Sequence, residues 1–293
     1  MKVTGVTIIR NAIINDYPIV ESIQSILPLV DEMIVSIGDG EDATETLINQ
    51  IGSSKIKIVY STWDLSLRKG GVILAVETNK VLAHVAPDTD WIFYIQGDEV
   101  IHEKYQNTIR KAMQTYHSDQ KVEGLLFKYL HFYGTYDYVG DSRKWYNYET
   151  RIIRNNRKIY SYRDAQGFRK NNEEKLKVAS IDAFVYHYGW VKNPVQMKIK
   201  QKNVAAFWDD DDASVNNLLS EENFFDYNDF DSLKKFTGTH PAVMQHRIEQ
   251  KNWHLELDIK KKKLKWKYRV LYWIEQLTGK RLFTFSNHII IRK

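Results

Sequence analysis

The stretch WIFYIQGDEVIHE, Trp91 to Glu103, decides the fold. The apolar run Trp91 to Ile95 stops at Gln96-Gly97-Asp98-Glu99, so a buried strand ends where two carboxylates begin. Three readings of the carboxylates compete. They form a polar turn, they begin a helix whose positive end favours Glu99 and Glu103, or they hold a hard cation beside a phosphorylated molecule.

Working outward, Val3 to Ile9, Met33 to Ile37, Ile56 to Tyr60 and Val122 to Tyr129 are further apolar, β-branched runs that read as strands. Between them, helical segments are expected from Asn15-Asp16-Tyr17-Pro18 to Leu27, from Asp42 to Ile51, from Gly70-Gly71 to His84, and from Glu103 to Tyr116. Strands separated by helices imply right-handed crossovers and a mostly parallel sheet, an α/β fold. Such sheets bind ligands outside the carboxyl ends of their strands. One crevice should therefore collect Arg10-Asn11, Gly38 to Asp42, Trp63-Asp64 and Gln96 to Glu99.

After Tyr129 the alternation fades and aromatics crowd in, with short strands expected at Thr150 to Arg154, Lys158 to Tyr162 and Ala183 to Tyr188. Helices are expected from Pro194 to Trp208 and from Lys263 to Leu277. No repeat and no Pro/Gly/Ser linker divides the chain. The economical division is a core, residues 1–190, with a helical extension, residues 191–293.

With 293 residues, 43% of them hydrophobic, the chain can bury a sizeable core. It has no cysteine, which excludes disulfides, thiolate metal sites and a cysteine nucleophile. No run of about 18 apolar residues reads as a spanning helix, and the N-terminus lacks the long apolar region of a secretory signal. A cytoplasmic protein, soluble or peripheral to a membrane, is the expectation. The net charge of +5 is uneven: residues 258–293 hold eleven Lys and Arg against two Asp and Glu, a local +9 that leaves −4 for the rest. That asymmetry argues against a nucleic-acid binder and for a basic surface with its own partner. In the tail, apolar residues from Leu264 to Leu277 suit a helix docked on the core or lying on an anionic membrane.

Asp98, at the end of a central strand, suits Mg²⁺ or Mn²⁺ bridging diphosphate oxygens. His187, in Tyr186-His187-Tyr188-Gly189-Trp190, is either a packed, hydrogen-bonded residue or a second ligand. Arg68-Lys69-Gly70-Gly71 before a helix offers cations and free amides to a phosphate, or is a solvated loop. Asp39 and Asp42 cap the second helix or reach a ribose hydroxyl or base edge. The run Asp209 to Asp212 reads as a solvated charge block without chemistry.

Taken together, these segments resemble family 2 type nucleotide-sugar glycosyltransferases over residues 3–190. The resemblance rests on Arg10-Asn11 after the first strand, DEMIVSIGDGEDAT (Asp31 to Thr44), Thr78-Asn79, QGDE (Gln96 to Glu99), ETRIIRN (Glu149 to Asn155) and YHYGW (Tyr186 to Trp190). It implies a GT-A type, Rossmann-like three-layer sandwich and a sugar moved from a nucleotide-diphosphate donor to a glycan or lipid-linked acceptor, as in polysaccharide biosynthesis. It further implies Asn11 and Asp39 near the nucleoside, Lys69 and Asn79 near the donor, Gln96 and Glu99 at the donor turn, and Mn²⁺ or Mg²⁺ on Asp98 and His187. Gln96 stands where relatives carry a first Asp, and Ile37-Gly38 where they carry paired aspartates. Inverting members use a carboxylate base; Asp164 is favoured, with Asp141 and Glu149 as the other candidates. A non-catalytic nucleotide or carbohydrate binder, or a nucleotidyltransferase, would share the sheet.

Overall fold

Strand β1 (Val3–Ile9) is buried along its whole length, with Val6 and Ile8 in one apolar cluster and Val3 and Ile9 in another. A strand covered on both faces has to be central, and parallel neighbours joined by helical crossovers supply the cover. Those neighbours are β2 (Glu32–Gly38) and β4 (Trp91–Tyr94), and β3 (Ile56–Ser61) follows beyond β2, all parallel. Helices α1 (Ile19–Ile26), α2 (Thr44–Asn49) and α4 (Gln106–Thr115) send Ile23, Ile48 and Ile109 to one face. Helix α3 (Val72–Ala83) covers the other with Ile73 and Val81. The α/β class, the parallel core and the three layers are those expected. This computed structural model describes residues 1–67, 69–205, 207–208, 223–260, 262–279 and 281–291; Arg68 and the run Asp209 to Asp212 lie outside them.

Past β4 the sheet becomes mixed. Its order is β3-β2-β1-β4-β8-β6-β11-β10-β9, where β8 (Tyr148–Arg154) runs antiparallel to both β4 and β6 (Gly124–Tyr133). Strand β11 (Glu174–Trp190) is parallel to β6, and β10 (Gly167–Lys170) and β9 (Ile159–Tyr162) return from its edge. The expected short strand Ala183 to Tyr188 is the end of a 17-residue strand. Its first half alternates Leu176 and Val178 with charged Lys175 and Lys177, and a register shift falls between Ser180 and Phe184, so no continuous apolar run announced it.

The larger correction concerns Glu99. It opens a strand, β5 (Glu99–Ile101), which pairs antiparallel with β11 and sets Glu99 opposite His187. No helix starts at this point, so a helix-dipole role for Glu99 falls away. The Glu99 carboxylate is fully buried and takes two hydrogen bonds from Arg151 of β8, each 2.8 Å, and one from the Tyr129 hydroxyl at 2.7 Å. The guanidinium lies 5.4 Å from the ring centres of both Tyr94 and Tyr129.

Among the described residues after β11, the extension holds helix α5 (Pro194–Ala205), a helix at Trp266–Thr278, a one-turn helix at Gln245–Glu249 and two short strands. The strand His288–Ile290 pairs with β11, and Leu233–Lys235 pairs with β7 (Tyr138–Gly140). Among the described residues no helix is long and apolar enough to cross a membrane.

Because Arg151 and Glu99 are both shut from water, removing one leaves an uncompensated buried charge. Arg151→Met should cost about 3–5 kcal/mol in urea unfolding, and a Glu99→Leu/Arg151→Met double variant should recover much of that. Equal losses in the single and double variants would show that the pair's charge is not what the fold depends on.

Candidate functional site

The carboxyl ends of β1 and β4, the end of β11 and one side of α5 enclose a cavity of about 570 Å³. That volume suits a cofactor-sized ligand. Asp98 and His187 meet in it, with Asp98 Oδ1 3.7 Å from His187 Nε2. The strand pairing of Glu99 with His187 brings them there. Gly189 leaves the room: a Cβ on it would lie 2.6 Å from Asp98 Oδ2 and 2.9 Å from the His187 ring.

The hydrogen bonds behind His187 settle which nitrogen carries its proton. His131 Nε2 lies 2.8 Å from the Tyr146 carbonyl, which only accepts, so that nitrogen bears the hydrogen. Burial holds His131 well below the usual histidine range, so it is neutral and its Nδ1 is an acceptor. His187 Nδ1, 3.2 Å away, must then donate, and burial likewise lowers His187 despite the pull of Asp98. His187 Nε2 is left with a lone pair facing a carboxylate oxygen. Two converging lone pairs, one oriented from behind by a hydrogen-bond chain, are a donor set for a divalent cation. Among the described residues no cluster of three His or acidic side chains is placed to hold a metal, so the protein offers two ligands and a bound diphosphate would have to supply others.

Asp98 has a second neighbour. Lys200 of α5 places Nζ 3.3 Å from Asp98 Oδ2 and 2.9 Å from the Gly189 carbonyl. Burial by itself would raise the Asp98 carboxyl, but the ammonium charges of Lys200 and Lys192, with the Lys200 hydrogen bond, hold it below the usual carboxylate range. Lys192, buried beside Asp16 and Lys200, is pushed down to about 7, first by burial.

Asp164 lines the same cavity, on a turn where Arg163 and Ala165 both adopt positive φ, 56° and 58°. Burial raises its carboxyl above the usual range, which strengthens it as a base. Glu149 sits behind, outside the lining, and burial together with the Asp164 charge pushes it up to about 8, Arg151 acting in the opposite sense. A carboxyl protonated at neutral pH is no base. Asp141 is remote from the cavity, hydrogen-bonded to Ser232, to Tyr272 at 2.7 Å and to Lys262 at 3.2 Å.

Most of the other expected donor contacts are bound within the protein. Gln96 lines the cavity, but its amide reaches Tyr94 Oη at 3.3 Å and the Ala165 carbonyl at 3.4 Å, tying the Asp98 turn to the Asp164 turn. Glu99 is consumed by Arg151 and Tyr129. Asn79 exchanges two hydrogen bonds with the Ser161 backbone and Asn11 accepts one from Glu41 N–H, while Asp39 caps the Trp63 amide at 2.9 Å. Lys69 is exposed outside the lining. The Gly70 and Gly71 amides, read as free for phosphate, donate to the carbonyls of Trp208 and Phe207. The cavity also holds residues the sequence did not single out. They are Lys200 and Tyr17 beneath it; Trp63, expected at a strand end, is in the lining too, and among the described residues its buried indole N–H has no hydrogen-bond partner.

A second cavity of about 800 Å³ adjoins the first through Tyr146, His187, Trp190 and Gln201. Its wall is aromatic, with Trp145 and Phe225 among its rings, and carries Lys144, Asp226 and Asp231.

Among solved structures the chain is similar to S. aureus TarS, at 15% identity and a TM-score of 0.38, with 75% of this chain and 42% of that chain covered. The TarS fragment 1–349 gives 14%, 0.37, 75% and 70%. Glucosyl-3-phosphoglycerate synthase from Mycobacterium tuberculosis, in complex with Mn²⁺, uridine-diphosphate and phosphoglyceric acid, gives 19%, 0.31, 44% and 43%. The chain thus spans less than half the length of the longer TarS structure and of the synthase. No family model and no curated protein matches. At this level of likeness only the site's own geometry speaks to function.

The protonation of Glu149 has a measurable signature. Between its ordinary value of 4.5 and its folded value of about 8, the folded chain holds a proton that the unfolded chain has released, so stability falls as pH rises. Glu149→Gln should remove that slope and exceed the wild type in stability above pH 8 by on the order of a few kcal/mol. Urea unfolding across this range checks it; parallel profiles would mean Glu149 is ionised in the fold.

Proposed function

We propose that the chain is an inverting, metal-assisted sugar transferase of the GT-A type that takes a nucleotide-diphosphate sugar in the first cavity and a glycan or lipid-linked acceptor from the aromatic second cavity. The observation that supports it is the convergence of the Asp98 and His187 lone pairs at the carboxyl end of a parallel sheet, in one cavity with Asp164. Residues 1–190 supply the core of this site, and the extension adds α5 and the basic tail.

A bound Mn²⁺ or Mg²⁺ would stabilise negative charge on the departing nucleoside diphosphate. Asp98 and His187 would hold it. Asp164 accepts the proton of the acceptor hydroxyl as that oxygen bonds to the anomeric carbon. The bond from that carbon to the diphosphate oxygen breaks, and its electron pair leaves with the nucleotide. The two-cavity arrangement lets the acceptor approach beside His187, with rings of the second cavity stacking on sugar faces.

The helix Trp266–Thr278 is tied to the core through Arg143–Glu275 and Tyr272–Asp141. Its other face leaves Trp266 and Trp273 72% and 63% exposed, with Phe283 and Phe285 exposed nearby. Aromatics beside a basic cluster suit the anionic, inner face of a membrane, at about 1 kcal/mol per basic residue near the surface.

Calorimetric titration of UDP and GDP should show one of them binding at least tenfold more tightly with Mn²⁺, a gain lost in Asp98→Ala. Binding indifferent to Mn²⁺ and to the substitution, without donor hydrolysis, would instead mark a non-catalytic nucleotide binder. Asp164→Asn should lower kcat by about 10²- to 10⁴-fold while the nucleotide Kd stays within about twofold. For the tail, Trp266→Ala/Trp273→Ala should lose co-sedimentation with phosphatidylglycerol vesicles; wild-type sedimentation by the variant would remove the membrane from the proposal.

A further inference from the structure

The two oxygens of Asp98 have different neighbours: Oδ1 faces the His187 lone pair, and Oδ2 faces the Lys200 ammonium. Lys200 belongs to no strand end. Helix α5 carries it in from the extension and is fixed to the loop after β1, where Asn203 bonds Asn15 at 2.9 Å and Gln196 bonds the Ile14 carbonyl. Once there, Nζ lies 4.7 Å from the Tyr17 ring centre and the side chain is 14% exposed, with its head in the cavity wall. Among the described residues, hydrogen bonds to Asp98 and Gly189 use two of its three N–H donors.

Charge balance gives this placement a role. A divalent ion on Asp98 leaves one net positive charge, and the diphosphate of a nucleotide sugar carries two negative ones. Lys200 supplies the missing unit. We propose that Lys200 is a protein-borne second cation of the diphosphate site: it occupies Asp98 in the empty protein and passes to a phosphate oxygen when a metal takes over the carboxylate. This rests on the nucleotide-diphosphate reading of the cavity. The shared carboxylate links the two cations in opposite senses, because the ammonium that helps the nucleotide competes with the metal for Asp98.

The linkage separates this role from a structural one. In Lys200→Met, which keeps the length of the side chain, UDP or GDP should bind at least tenfold more weakly at saturating Mn²⁺. Mn²⁺ alone, followed by electron paramagnetic resonance of the free ion, should bind several-fold more tightly. Lys200→Arg should restore nucleotide binding to within about threefold of wild type. Unchanged nucleotide affinity in Lys200→Met, or a parallel loss of nucleotide and metal affinity, would overturn the assignment. If wild-type protein binds Mn²⁺ but neither nucleotide, the reading of the cavity itself fails, and the role of Lys200 with it.

Discussion

The pair of Arg151 and Glu99 is the contact on which the architecture turns. Its guanidinium holds Glu99, one residue past Asp98, with two hydrogen bonds and donates a third to the Gln166 carbonyl, two residues past Asp164. One side chain from the antiparallel strand β8 thus sets both the turn that ends β4 and the turn that presents Asp164. Two buried ions are tolerated only when each satisfies the other, so the turns cannot drift apart without exposing a charge to an apolar interior. Gln96, bridging Tyr94 and Ala165, repeats the connection with a neutral group.

This arrangement explains which parts of the site could be read in advance. Strands β1, β2 and β4 were legible because burial on both faces demands unbroken apolar runs, and Asp98 followed from its place at the end of one. Strand β5 was not, since Glu99-Val100-Ile101 is too short to show a period and exists only because β11 pairs with it. Lys200 and Asp98 are 102 residues apart, and His131 and His187 are 56 apart, so no local spacing could announce either contact. The misplaced residues share one cause. Glu99 and Asp141 are polar groups at strand ends and Asn79 lies within helix α3, and residue type does not reveal whether a polar group's partner will be a ligand or the protein itself.

The two cavities divide the chemistry. In the first, Asp98 and Lys200 face each other with Lys192 acting on Asp98 from outside the lining, while the second is walled mainly by rings and also carries Lys144, Asp226 and Asp231. His187 stands at the partition, and the hydrogen-bond chain through His131 to the Tyr146 carbonyl anchors it from the aromatic side. Orientation of the charged site is in this way borrowed from the packing of the other.

Gly189 shows how unevenly such a site can change over descent. Its neighbour Trp190 is only partly buried, in the wall shared by the two cavities, where another large ring could stand. At Gly189 the smallest possible step, one methyl group, would drive its new carbon to 2.6 Å from the Asp98 carboxylate and 2.9 Å from the His187 ring. Substitution can therefore reshape the aromatic wall, whereas the spot between carboxylate and imidazole admits a hydrogen atom and nothing larger.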